Sequence, residues 1–239
     1  GTVGDYLFSN TIQFDGKSVK NQTAVAVRLR NGFQIDHKIM HGCSPKDGIY
    51  YTITKIEGPV LMELDNRPVI EVINEIYGDE NWQKQFPVKR LTIGQNIGDN
   101  FPLEYIESEY SNRLIMGVLP DKSGILLFES DYEVGTEVLF MLRDSNVMFK
   151  SSKKNTESIL NELQNSGTKP AFGFYIDCAG RSALFSDTLT EEAEEVQKLF
   201  NQQNIPLFGF YSGVEIAPFA NKSCGLDWTG VLTVFSEPK

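Results

Sequence analysis

Arg181 follows Gly180 just beyond a run that reads as a β-strand (171–176), and its planar guanidinium is suited to grip a carboxylate through two parallel hydrogen bonds. An amino acid or a related metabolite carries such a group. Glu215, also placed at a strand end, offers the same arginine an internal partner, and the two readings are compatible if the pair forms one wall of a pocket. Cys178 lies three residues before Arg181, where nearby positive charge favours the thiolate. A thiol nucleophile also needs a base within reach, and the sequence contains only His37 and His41. A buried, inert cysteine is the alternative. His41-Gly42-Cys43 follows a strand in a turn that gathers backbone N–H groups, a ring and a thiol, and His41 can equally serve as a structural donor. Phe210 and Tyr211 are neighbours on a strand, so one belongs to the core and the other can line a cleft. There is no Gly-rich Lys/Thr phosphate loop, no serine elbow between glycines and no His-Glu-x-x-His. A binding site is therefore expected rather than an enzyme, with Cys178 and His41 as the catalytic alternative.

The elements that must hold these residues are mostly strands. Runs 23–29 and 33–39 flank Arg30-Asn31-Gly32, a hairpin signal because Asn and Gly tolerate positive φ. Runs 50–56 and 60–64 flank the turn Glu57-Gly58-Pro59. Asp65 and Asn66 can cap a helix that starts at Pro68, buries Val69, Val72, Ile73 and Ile76, and stops at Gly78. Residues 79–100 read as a partly helical connection or lid. Strands follow at 114–119, 125–128 and 137–142, then a helix capped by Asn155 or Thr156 and ended by Gly167. Thr188 with Glu191 resembles a capping box ahead of a stripe of Leu189, Ala193, Val196 and Phe200, and the acids at 191, 192, 194 and 195 favour the positive helix end. Strands at 207–211 and 231–235 complete the set. The pattern predicts an α+β fold of mainly antiparallel sheets packed together, helices on the outer faces, layered in the α/β/β/α manner.

Thirty-two acidic against 22 basic residues give a net charge of -10, which opposes binding to nucleic acid or an anionic membrane. Lys150, Lys153 and Lys154 read as a solvated edge beside a helix start. No apolar run approaches the roughly 20 residues of a membrane span, and no signal-peptide layout opens the chain. Three widely spaced cysteines fit reduced thiols in the cytoplasm better than a disulfide framework. With two histidines and no close Cys/His pairs, neither a metal nor another cofactor is expected. At 239 residues the chain can form one large domain or two.

Several phrases, in order, resemble the FIST family of sensory proteins. Gly4-Asp5, His41-Gly42-Cys43-Ser44-Pro45, Tyr51-Thr52-Ile53-Thr54-Lys55 and Glu63-Leu64-Asp65-Asn66-Arg67-Pro68 are similar to the family's N-type region, with Asn66 where Gly is usual. Gly135-Thr136, Asp177-Cys178-Ala179-Gly180-Arg181 and Pro206-Leu207-Phe208-Gly209-Phe210-Tyr211 with Glu215-Ile216 are similar to its C-type region. The family places Gly directly before the Glu, whereas this chain has Ser212-Gly213-Val214-Glu215, a turn re-registered by one residue. The resemblance implies that residues 1–67 are the later part of an N-type region and 68–239 a C-type region. It also implies a bacterial-type, cytoplasmic signal-transduction module that binds a small ligand, such as an amino acid, and acts on an output domain or partner protein. Arg181, Glu215, Cys178, His41, Cys43 and Tyr211 are the ligand-binding candidates. An adaptor role in protein–protein interaction is the alternative that the resemblance also carries.

Overall fold

The computed structural model describes residues 11–29, 32–98, 105–219 and 222–237. The chain begins with β1 (Ile12–Phe14), β2 (Val19–Asn21) and β3 (Gln34–Met40). The long β4 (Cys43–Glu57) turns into β5 (Val60–Leu64) and the two-residue β6 (Arg67–Pro68), before helix α1 (Val69–Tyr77). Strands β7 (Leu91–Asn96), β8 (Tyr110–Arg113), β9 (Ile115–Val118), β10 (Ile125–Leu127) and β11 (Glu137–Arg143) lead to helix α2 (Ser145–Asn165). Then come β12 (Pro170–Cys178), the short α3 (Ala183–Ser186), α4 (Ala193–Gln202), β13 (Leu207–Ser212), β14 (Glu215–Phe219), β15 (Lys222–Leu226) and β16 (Gly230–Ser236). The fold is α+β with mainly antiparallel sheets. Two compact units interleave along the sequence: one is drawn from the described residues of Gly1–His41, Met148–Ala217 and Thr229–Lys239, the other from Gly42–Val147 and Pro218–Trp228.

The first unit is built on a four-stranded sheet in the order β13-β12-β16-β3. Its pair β12–β13 is parallel while β12–β16 and β16–β3 are antiparallel. A parallel neighbour needs a crossover long enough to return the chain, and α3 and α4 supply it. Strand alternation sends Tyr175, Leu232 and Val234 into a core with Ile159, Leu160 and Leu163 of α2 and Val196 and Phe200 of α4. Full burial of Phe200 is worth about 1.5–3 kcal/mol. Gly173 makes room for it: a Cβ there would lie 2.3 Å from the Phe200 ring.

The second unit holds the sheet β8-β7-β11-β4-β5-β10-β9, with β6 on β5. Its core joins Val69, Val72 and Ile73 of α1 to Ile53, Leu61, Leu64, Ile93, Ile115, Ile125 and Phe140 of the strands, around a fully buried Trp82. Gly78, at φ 83, closes α1 by donating its N–H to Asn74 O.

The structure departs from sequence expectation at several elements. Residues 23–29 form no strand and are largely exposed, because β3 finds its partner in β16 instead; Arg30 and Asn31, and Gly4-Asp5, lie outside the described residues. Asp65 and Asn66, at φ 51 and 61, form the β5–β6 turn rather than a helix cap, and Asp65 accepts a hydrogen bond from Thr52 N–H. Within 79–100 a full strand, β7, pairs with β11 and β8. Helix α2 begins about ten residues before the expected cap, because Asp144 Oδ1 accepts the N–H groups of Asn146 and Val147, so Lys150, Lys153 and Lys154 lie within it. No capping box forms before α4: Thr188 bonds to Thr190 O, Leu189 is fully exposed, and Glu191 and Glu192 serve other partners.

Candidate functional site

A cleft of about 260 Å³ opens in the first unit where α4 lies along the β13 edge of the sheet. Tyr175 and Asp177 of β12 line it, with Ala193 and Gln197 of α4 and Leu207, Phe208, Gly209, Phe210 and Tyr211 of β13. The volume falls below the roughly 300–1,000 Å³ of drug-sized sites and suits a small metabolite. It sits toward the carboxyl ends of the parallel pair β12–β13, where open sheets characteristically bind ligands because the connecting segments diverge there. Gly209 permits the close strand approach, since a Cβ would meet Tyr175 O at 1.9 Å.

Behind this cleft lies a buried charge network. Arg181 is fully buried, and its Nε donates to Asp177 Oδ1 at 2.8 Å. Its Nη2 stands 3.0 Å from Glu192 Oε1 and donates to Ser152 Oγ at 3.0 Å, while Nη1 donates to His41 O at 2.9 Å. Tyr175 Oη donates to Glu192 Oε2 at 3.0 Å. Burial, together with the neighbouring charge of Glu192, holds the Asp177 carboxyl well above the usual carboxylate range; Arg181 opposes this and Glu215 adds to it. Burial alone would lower the Arg181 value, but Glu192, Tyr175 and Asp177 outweigh it and keep the guanidinium charged. Burial raises the Tyr175 phenol as well, as do Asp177 and Glu192. At the rim, Tyr211 donates to Glu191, whose other bond is to Ala183 N–H; burial first and that hydrogen bond second raise the Tyr211 phenol.

The six candidate residues are distributed unevenly over this geometry. Tyr211 lines the cleft. Arg181 stands behind it with its fork turned inward, because the strand end at Cys178 passes into a 3₁₀ turn (Ala179–Arg181) that folds the side chain back onto Asp177. His41 reaches the network through its backbone carbonyl, and Glu215 through its charge on Asp177. Cys178 is 9% exposed at the end of β12, its N–H given to Thr229 O. Cys43 belongs to the second unit, where it is buried and its carbonyl accepts the Tyr105 hydroxyl. Sequence reasoning did not assign Asp177, Glu192, Tyr175 and Gln197 to the site. The Asp177–Arg181 spacing of four was the available signal for the first; Glu192 looked like one of several acids at a helix start, and only the crossover carries it to the arginine.

A second polar cluster belongs to the other unit. Arg113, 3% exposed, pairs with Asp131 and lies over the Tyr132 ring, and Asp227 Oδ2 accepts Leu114 N–H at 2.8 Å. Burial pushes Asp227 up to about 7 against the Leu114 bond and the Arg113 charge. Among the described residues no group of His, Cys, Asp and Glu could hold a metal ion, and no helix is long and apolar enough to cross a membrane.

Comparison with known proteins places these features in a family. The FIST N domain matches residues 1–67 and the FIST C domain residues 70–218. The chain belongs to the FIST family, whose domains are generally sensory domains of signalling proteins. An uncharacterized protein of Mycobacterium tuberculosis is 26% identical over 227 residues, covering 95% of this chain and 57% of that protein. Another, from Mycobacterium bovis, is 24% identical over 227 residues, with 95% and 56% covered. The chain thus spans little more than half the length of these relatives. No solved structure matches it.

Proposed function

We propose that this chain is a small-ligand sensory domain whose ligand enters the cleft between α4 and the β13 edge, and whose occupancy is passed to an output domain or partner protein. The observation that carries this reading is the cleft itself, in which apolar walls from Leu207 and Ala193 meet a few convergent polar groups, Tyr175, Asp177, Gln197 and Tyr211. Ligand bound there bridges α4 to the sheet and so favours one state of the crossover over others. Thermal-shift screening against metabolites, amino acids included, tests it: a ligand at 100 times its Kd stabilises by about 2.7 kcal/mol. Gln197→Trp fills the cleft from a half-buried helix position and should abolish the shift. Stabilisation that survives this change, or none by any compound, refutes the reading.

The opposite face of the same sheet favours a second reading, an interaction module. Phe172 stacks on Phe235 with ring centroids 4.6 Å apart, Phe174 lies 4.7 Å from Phe208, and Phe208 is 56% exposed. Phe208→Ser would weaken capture of a partner protein on that reading, and leave partner binding unchanged if the face is merely surface.

A further inference from the structure

We infer that the cleft takes a small organic amine, bound as its cation, with the ammonium group donating to Asp177 Oδ2 and the hydrocarbon part lying on Leu207 and Ala193. This rests on the ligand-binding role proposed above and specifies its chemistry. Asp177 is 2% exposed and lines the cleft, and its Oδ2 is the carboxyl oxygen that accepts no hydrogen bond. Its other oxygen is held by Arg181 Nε and faces Tyr175 Oη at 3.3 Å. A buried carboxyl oxygen at a cleft wall is an acceptor waiting for a donor.

Charge selects the class of donor. Among the described residues no Lys, Arg or His lines the cleft, and Arg181, the guanidinium behind it, is engaged by Asp177, Glu192, Ser152 and the His41 carbonyl. A ligand carboxylate would therefore enter a desolvated site that already holds two carboxyls against one guanidinium, with Glu215 adding negative charge at Asp177. Burial and the charge of Glu192 raise the Asp177 carboxyl and so favour a proton on it where no cation is near. An ammonium ion replaces that proton with the same charge, so the net charge of the cluster is unchanged: Asp177 loses H⁺ to solvent and accepts N–H⁺ from the ligand. The groups facing Asp177 are Tyr175 on its own strand, Arg181 from the 3₁₀ turn, Glu192 ahead of α4, Tyr211 of β13 and Glu215 of β14. Since proton and ligand compete, amine affinity rises with pH for as long as the amine remains protonated.

Calorimetric titration with isobutylamine and phenethylamine, against the matched acids isovalerate and hydrocinnamate, tests the assignment. The amines should bind and the acids should not. Asp177→Asn keeps an acceptor for Arg181 Nε but removes the charge, and should weaken amine binding by roughly 10- to 100-fold, the range for a hydrogen bond to a charged group. Gln197→Trp, which leaves the charge network intact, should abolish it, so the outcome does not depend on the Asp177 variant folding. If acids or neutral compounds bind in a manner sensitive to Gln197→Trp while amines do not, the amine assignment is wrong and the cleft remains the binding site. If nothing binds in that manner, both fail. Amine binding unaffected by Asp177→Asn, or weakening as pH rises from 6 to 8, also overturns it.

Discussion

Arg181→Met replaces the buried guanidinium by an apolar side chain of similar length and leaves Glu192 and Asp177, with side chains 0% and 3% exposed, without their cation. At 3.0 Å the Arg181–Glu192 attraction is about 5–6 kcal/mol for an effective dielectric constant near 20, before desolvation is subtracted. Removing one partner of a buried pair costs about 3–5 kcal/mol net, since the other charge stays buried. The lost hydrogen bond to the His41 carbonyl moves the expected loss toward the upper end. Urea denaturation followed by circular dichroism should therefore show the variant about 3–5 kcal/mol less stable at pH 8. The sign of the pH effect follows from proton binding. Losing the arginine removes an influence that lowers Asp177, so this carboxyl, already raised by burial and Glu192, holds its proton more tightly still, and the variant loses more stability than the wild type as pH rises above the ordinary carboxylate value of about 4. Its deficit against the wild type must then be smaller at pH 5 than at pH 8. A loss under about 1 kcal/mol, or a larger deficit at pH 5, would refute the picture of a buried arginine neutralised from within.

Three further outcomes can be checked. Asp227, raised to about 7, binds a proton in the folded state that the unfolded chain has already released, so its favourable contribution at low pH is lost as pH rises from about 4 through 7. Asp227→Asn should flatten that slope, on the order of 4 kcal/mol across the window, in stability measured against pH. Gly209→Ala places a Cβ 1.9 Å from Tyr175 O and should cost at least about 1–3 kcal/mol by forcing β13 from β12, seen as a lowered Tm. Cysteine labelling at neutral pH should modify half-exposed Cys224 first, and Cys178 and Cys43 only in denaturant; rapid native labelling of Cys178 would revive a thiol-enzyme role.

Local signals made much of the scaffold legible. Period-two runs marked β5, β11, β12 and β16 because a half-buried strand alternates by its own geometry, and Gly78 and Gly167 marked helix ends because their positive φ suits glycine. The errors fall where a partner distant in sequence decides. Residues 23–29 alternate like a strand but have no ladder, while β7 carries Gly94, Gln95 and Asn96 and is a strand because β11 and β8 flank it.

The sequence by itself determined the family and the α+β class, since motif order and periodicity are written along the chain. Only the tertiary structure decided which way Arg181 faces. An arginine's reach is fixed by its side chain, but its partners are fixed by burial, and here the crossover brings Glu192 and Tyr175 to it from other elements. Asp177, rather than Arg181, lines the cleft, because in a desolvated cluster the single cation is neutralised first by the acids beside it.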